Sequence, residues 1–330
     1  MTVTASTTDR PQTSVQRWFS RRSNIQTVAL LGVLGIVYLC FSLTAPSFAS
    51  VGNQLNILQN AAFVGIVAMA MTLVIIAGEI DISVGSAVAL GSALLGVTVG
   101  QWGLPVPLAI LVVLAEGALM GAFAGWVRSR FGVPSFIVTL ALYGALRGLA
   151  LLITNAYPIP LKDPFLVFLG SGRLLGIPVV AIAFMLVFAV IAFVATKTPF
   201  GRSVYAVGGN PEAARLSGIN VARVRVLVFI LTGLAAAMVG VLQSARLSSG
   251  TASIGTGVEF DAIAAVIIGG TLLSGGRGSV LGTFIGVIFI TVLGNGMVLL
   301  GVNPYAQEVV RGVVVLLAVL ISVWQRKGKR

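Results

Sequence analysis

Residues 61–77, Ala61-Ala-Phe-Val-Gly-Ile-Val-Ala-Met-Ala-Met-Thr-Leu-Val-Ile-Ile-Ala77, contain no charged side chain. They are followed by Gly78-Glu-Ile-Asp-Ile-Ser-Val-Gly85 and then by a second apolar run to residue 99. A helix needs about 20 apolar residues to cross the hydrocarbon core of a bilayer. The composition of the whole chain agrees with that reading. It is 57% hydrophobic and 9% charged, whereas a soluble domain carries about 25% charged residues. A water-facing surface cannot be built from such a composition, so lipid is the main solvent.

Working outward, ten spans are predicted at approximately 26–43, 57–77, 83–99, 106–127, 134–153, 176–195, 224–245, 259–273, 279–300 and 306–324. The third and eighth are short and Gly-rich, as broken helices are. The first follows Arg17, Arg21 and Arg22 and is longer than the apolar core of a signal peptide, so it reads as an uncleaved anchor. The predicted fold is an all-α polytopic membrane protein.

The net charge of +12 does not form one basic face. It lies in short gaps between apolar runs, which argues against nucleic-acid binding. Arg10, Arg17, Arg21, Arg22, Arg128, Arg130, Lys197, Arg202, Arg215, Arg223, Arg225, Arg277, Arg326, Lys327, Lys329 and Arg330 fall on one side of the ten-span topology; Lys162, Arg173 and Arg246 fall on the other. The excess of Lys and Arg marks the cytoplasmic side, placing both termini there. Arg147 and Arg311 lie inside spans. The chain has no His and a single Cys40. Zinc sites, His-based triads and internal disulfides are thereby excluded, and no catalytic residue, metal or cofactor is predicted.

The longest connection on the basic side runs from Lys197 to Arg225. Within it, Gly208-Gly-Asn-Pro-Glu-Ala-Ala-Arg-Leu-Ser-Gly218 reads as a compact helix. Asn210 suits the N-cap, Pro211 the first helical position, Glu212 the positive end of the helix dipole, and Gly218 a left-handed stop. A helix of two turns is marginal alone. It is either a lid on this chain's own face or a docking element for a partner.

Residues Ala206-Val-Gly-Gly-Asn-Pro-Glu-Ala-Ala-Arg-Leu-Ser-Gly-Ile-Asn220 resemble the coupling segment of sugar permeases of the ribose/xylose/arabinose ABC-importer family. Gly78–Gly85, Ala245-Arg-Leu-Ser-Ser249, and Glu259–Thr271 running into Gly275-Gly-Arg-Gly-Ser279 resemble the same family, in the same order. The resemblance implies a permease of the vitamin-B12-importer-like (type II) architecture in the bacterial cytoplasmic membrane. It implies a single permease domain over 25–325, a coupling loop at 197–225, and cytoplasmic tails at 1–24 and 326–330. The implied partners are a cytoplasmic ABC ATPase subunit, an external sugar-binding protein, a second permease chain forming a homodimer, and membrane lipid. Gly209, Asn210, Pro211, Glu212, Ala213, Arg215, Ser217 and Gly218 would lie at the ATPase. The chain lacks a Gly-x-x-x-x-Gly-Lys-Ser/Thr phosphate loop, in keeping with ATP being bound by another polypeptide.

Glu79 and Asp81 lie amid apolar sequence, and Glu259 and Asp261 repeat the Glu-x-Asp spacing five spans later. An odd offset turns the two copies to opposite sides of the membrane, as in an inverted-topology repeat relating spans 2–5 to 7–10. Carboxylates accept hydrogen bonds from sugar hydroxyls, so Glu79, Asp81, Ser83, Glu259, Asp261 and Asn295 are the predicted translocation-path residues. Asp81 equally suits a cap at the start of span three. Family members often carry Gly where this chain has Glu79. Glu116 reads as an interhelical hydrogen-bonding group. Gly117, Gly121 and Gly125 read as a close-packing face. The competing function is an ion-coupled secondary transporter of a small polar solute.

Overall fold

A computed structural model describes residues 14–327. The outer parts of the two expected tails, residues 1–13 and 328–330, lie outside the described residues. Thirteen α-helices follow one another among the described residues. They are α1 Ser14–Thr44, α2 Val51–Ile76, α3 Val84–Leu95, α4 Val106–Phe131, α5 Ser135–Thr154, α6 Pro164–Ser171, α7 Val179–Lys197, α8 Pro199–Gly209, α9 Pro211–Leu216, α10 Val221–Leu247, α11 Val258–Ile268, α12 Val280–Leu299 and α13 Pro304–Lys327. A π-helical stretch, Gly96–Gln101, extends α3. Short strands β1 (Ile159–Pro160) and β4 (Ser249–Gly250) pair antiparallel, as do β2 (Arg173–Leu174) and β3 (Ile177–Pro178).

Eight helices among the described residues are long and apolar enough to cross a membrane. Two of the ten expected spans fall outside that set. The span expected at 259–273 is α11, only 11 residues long. At 1.5 Å per residue it covers about 16 Å, half of a hydrocarbon core of about 30 Å. Hydropathy merges it with Gly269 and Gly270, where the helix has already ended. The span expected at 306–324 is α13, whose 24 residues are long enough; the side chains of its last turns lie outside the described residues. The span expected at 83–99 is α3 with its π-helical extension.

The uncharged run 61–77 forms the centre. In α2, 83% of the most apolar stretch is buried, against 28% in α4, α5 and α7. A helix that is hydrophobic on all sides belongs in such an interior. Leu108, Leu111, Leu119 and Phe123 form an exposed face on α4, as lipid contact requires.

Contacts between helices follow a two-fold exchange. Helix α10 packs on α4, α3 and α2; α2 packs on α12, α11 and α10; α3 packs on α5, and α11 on α13. Swapping α2–α5 with α10–α13 maps the α2–α10 contact onto itself and converts each of the others into another of them. That is the contact pattern an inverted repeat requires.

Helices α4 and α10 cross backbone against backbone. A β-carbon at Gly121 would collide with the Phe229 carbonyl, and one at Gly117 with the Gly233 carbonyl and the Ala237 side chain. The Gly-x-x-x-Gly spacing is therefore spent inside the chain, bringing two helix backbones together.

Candidate translocation and coupling site

The loop between α2 and α3 is held on every side. Glu79 is 2% exposed and lies between two guanidiniums. Arg128 Nε, at the end of α4, donates to its Oε2 at 2.8 Å, and Arg225 Nε, in the first turn of α10, pairs with its Oε1 at 2.6 Å. Ser135 and Thr139 on α5 accept the backbone N–H groups of Ile80 and Ile82, each at 3.1 Å. Asp81 is buried. Its Oδ1 accepts from the Ser83 N–H at 3.0 Å and the Ser83 hydroxyl at 2.6 Å, while its Oδ2 accepts from Thr232 on α10 at 2.8 Å. Asp81 thus closes the turn leading into α3 and ties that turn to α10, while the N-cap of α3 is Ser83, without a side-chain capping hydrogen bond.

Glu259 and Asp261 occupy the first turn of α11 and are both buried. Glu259 Oε1 accepts the N–H of Gly257, the residue that begins the helix, at 3.3 Å. Its carboxylate rests where a β-carbon on Gly85 would stand, so the starts of α3 and α11 touch. Asp261 Oδ1 pairs with Arg311 Nε of α13 at 2.9 Å. From α5, Arg147 Nη1 reaches the Ala252 carbonyl at 2.5 Å and the Ile254 carbonyl at 2.8 Å. Sequence reasoning left Arg147 and Arg311 without partners. Their signal was a charge inside an apolar span, which is expensive unless paired.

Asn295 does not join these groups. Its amide exchanges two 2.9 Å hydrogen bonds with the amide of Asn53, tying α12 to α2 near the opposite end of the bundle from Glu79. The expectation for Glu116 is also corrected. Both of its carboxylate oxygens are buried without any hydrogen-bond partner, so it ties no helix to another.

Helix α9 forms as its local signals dictate. The Asn210 side chain accepts from the N–H groups of Glu212 and Ala213 at 3.0 and 3.1 Å, and Pro211 occupies the first turn. Gly218 stops the chain at φ +82°. Glu212 and Arg215 form a 2.9 Å ion pair with both side chains exposed. An open cleft of about 510 Å³ runs beside α9, lined by Ser129, Pro211, Glu212, Arg215 and Arg225 among others. Arg225 thus faces the cleft and the buried Glu79 at once.

Helix α8, which the sequence reading does not separate from the loop, delivers α9 to the bundle. Gly208 at its end lies so close to the Ile76 carbonyl that a β-carbon would collide with it. The same carbonyl accepts the Gly276 N–H at 2.8 Å, and a β-carbon on Gly275 would lie 2.8 Å from Gly78 Cα. Three of the quoted motifs, at 78–85, 206–220 and 275–279, therefore meet backbone to backbone at one point. Among them, Tyr205 donates its hydroxyl to the Gly278 carbonyl at 3.1 Å.

Comparisons with known proteins agree with this arrangement. Residues 53–319 match the family described as "Branched-chain amino acid transport system / permease component". The chain is 51% identical over 332 residues to the probable ABC transporter permease protein YphD of Escherichia coli (strain K12), covering 99% of each chain. It is 40% identical to the ribose import permease protein RbsC of the same strain, over 94% of this chain and 97% of that one. It is 36% identical to the xylose transport system permease protein XylH of that strain, over 90% and 91%. No solved structure matches the chain. A polytopic bundle of helices, built around paired carboxylate loops and matched along most of its length, thus belongs to the branched-chain amino acid transport system / permease component family.

Proposed function

We propose that this chain is the membrane-spanning subunit of an ATP-driven importer of a monosaccharide, a pentose or related sugar. The observation that carries the reading is α9. It is a well-capped helix with an exposed ion pair, standing beside a cleft and joined through Gly208 to two loops of the bundle. A helix built this way suits a partner that pushes on it. A cytoplasmic ATPase that grips Gly209–Gly218 would move the joint at Gly78, Gly208 and Gly276. That joint leads directly to Glu79 and Asp81 on one side and to the start of α12 on the other.

The family description names branched-chain amino acids, whereas the relatives matched over nearly their full length are named for ribose and xylose. The longer, closer matches favour a sugar. On this reading Asp81, Ser83, Glu259 and Asp261 stand around the path where α3 and α11 begin. Glu79 and Asn295 act as ties that hold its walls, since Arg128, Arg225 and Asn53 already occupy them. Eight Lys and Arg at the α9 end (Arg128, Arg130, Lys197, Arg202, Arg215, Arg223, Arg225, Arg277) against Lys162, Arg173 and Arg246 at the other favour a cytoplasmic α9. On the same reading both termini lie in the cytoplasm of a bacterial inner membrane. A second permease chain and an external sugar-binding protein complete the assembly.

The test is uptake of labelled ribose and xylose by vesicles holding the whole transporter, with Glu212→Ala/Arg215→Ala beside the unaltered chain. Loss of uptake and of ATPase co-purification, with normal membrane insertion, is expected. Unchanged uptake would remove α9 from the mechanism.

A further inference from the structure

Residues 251–257, between β4 and α11, are not helical. Two close approaches fix their depth. The backbone of Gly250 lies against Gly96, and that of Gly255 lies against Gly85. Gly85 and Gly96 belong to one continuous rod, α3 and its extension, and stand about 16 Å apart along it at 1.5 Å per residue. The segment therefore runs antiparallel beside α3, over at most about half the thickness of the hydrocarbon core.

Irregular backbone at that depth is tolerated only inside protein or along a water-filled cavity. Thr251, Ala252, Gly255 and Gly257 turn inward and are buried, but Ser253 and Thr256 are exposed. A guanidinium stands on either side of them. Arg147 holds the Ala252 and Ile254 carbonyls with Nη1, leaving Nη2 buried without a hydrogen-bond partner. Arg311 pairs with Asp261, yet its side chain is 39% exposed. Both arginines lie about 10 Å from the same membrane face, measured from the end of α5 and the start of α13. A charged side chain turned to lipid at the centre of a helix costs about 2.5–3.5 kcal/mol. This face does not meet hydrocarbon.

We propose that Ser253, Thr256 and Arg311 form the wall of the translocation path that reads an uncharged, polyhydroxylated substrate, with Arg147 holding the Ala252 and Ile254 carbonyls behind it. The Arg311–Asp261 pair presents a donor beside an acceptor, the complement of two neighbouring hydroxyls. Ser253 and Thr256 can each donate and accept. Hydrogen bonds of this kind hold a sugar in passage without binding any single charge. The inference rests on the reading of the chain as a permease, and names the side chains that meet the cargo.

Cys40 is the only cysteine, so a Cys40→Ser background permits single-cysteine tests in the full transporter with its ATPase. Ser253→Cys, Thr256→Cys and Leu149→Cys are compared; Leu149 is exposed on the side of α5 away from Arg147. A charged methanethiosulfonate is excluded from hydrocarbon, so it labels positions 253 and 256 at least about tenfold faster than 149. Ribose or xylose, supplied with the binding protein and ATP, slows that labelling. Inertness of both cysteines to the charged reagent, with labelling by membrane-permeant N-ethylmaleimide retained, would overturn the wall. Labelling indifferent to a sugar that the transporter takes up would overturn its role in reading substrate. Fast labelling in a transporter that takes up neither sugar would keep the wall facing water, but would contradict both the monosaccharide reading and the wall's assignment to sugar.

Discussion

Arg225 Nε lies 2.6 Å from Glu79 Oε1 and, at the same time, lines the cleft beside α9. One side chain thus joins the open cleft beside α9 with a carboxylate buried between α2 and α3. Arg128 completes the triad from α4. The three groups join three separate elements at the α9 end of the bundle.

Glu79→Gln leaves two guanidiniums facing each other around a neutral amide. Breaking a buried ion pair by removing one partner costs about 3 kcal/mol or more. The arginines are 20% and 17% exposed, so water relieves part of that cost and about 2 kcal/mol is expected. Thermal unfolding of the purified chain in detergent should show a lowered midpoint for Glu79→Gln, and a midpoint unchanged from the parent would show that the triad holds nothing.

Glu212→Ala/Arg215→Ala behaves in the opposite way. Both side chains are exposed, 74% and 69%, and surface changes of this kind shift stability by at most about 0.5 kcal/mol. The unfolding midpoint should stay in place while ATPase binding in a pull-down is lost. A large fall in midpoint would mean that α9 is a lid holding the chain's own fold.

Gly121→Ala drives a methyl group into the Phe229 carbonyl and should cost about 1–3 kcal/mol by forcing α4 from α10. Gly144→Ala on α5 meets no atom within 4 Å and should be neutral or slightly stabilising. Equal midpoints for the two variants would contradict the close crossing.

How much of this was legible in the sequence follows from distance along the chain. Helix α9 was readable because Asn210, Pro211, Glu212 and Gly218 act within a few residues of one another. The long apolar spans were readable for the same reason. The partners of Glu79 were not: Arg128 is 49 residues away, and at sequence level both arginines serve equally well as ordinary loop charges. The length of α11 was hidden because the turns at its end and a helix of the same composition have similar hydropathy. Asn53, Arg147 and Arg311 needed the packing of α2, α5 and α13 before their partners could be seen.

The Asn53–Asn295 pair offers a quantitative check on that packing. Interhelical hydrogen bonds in membranes couple by about 0.6 kcal/mol on average, with a maximum near 1.7. Two reciprocal bonds place the coupling energy of Asn53→Ala and Asn295→Ala between those values. A double-mutant cycle on unfolding free energies reads it directly, and zero coupling would remove the tie between α2 and α12.

On the proposed function, ATP bound by a separate chain drives the path. The most direct measurement of this is uptake of labelled ribose and xylose into vesicles holding this chain, with the ATPase and the external binding protein added or withheld. The account predicts uptake of one or both sugars that requires ATP, the ATPase and the binding protein, and that survives an ionophore. Uptake that persists without the ATPase and collapses with the ionophore would contradict it.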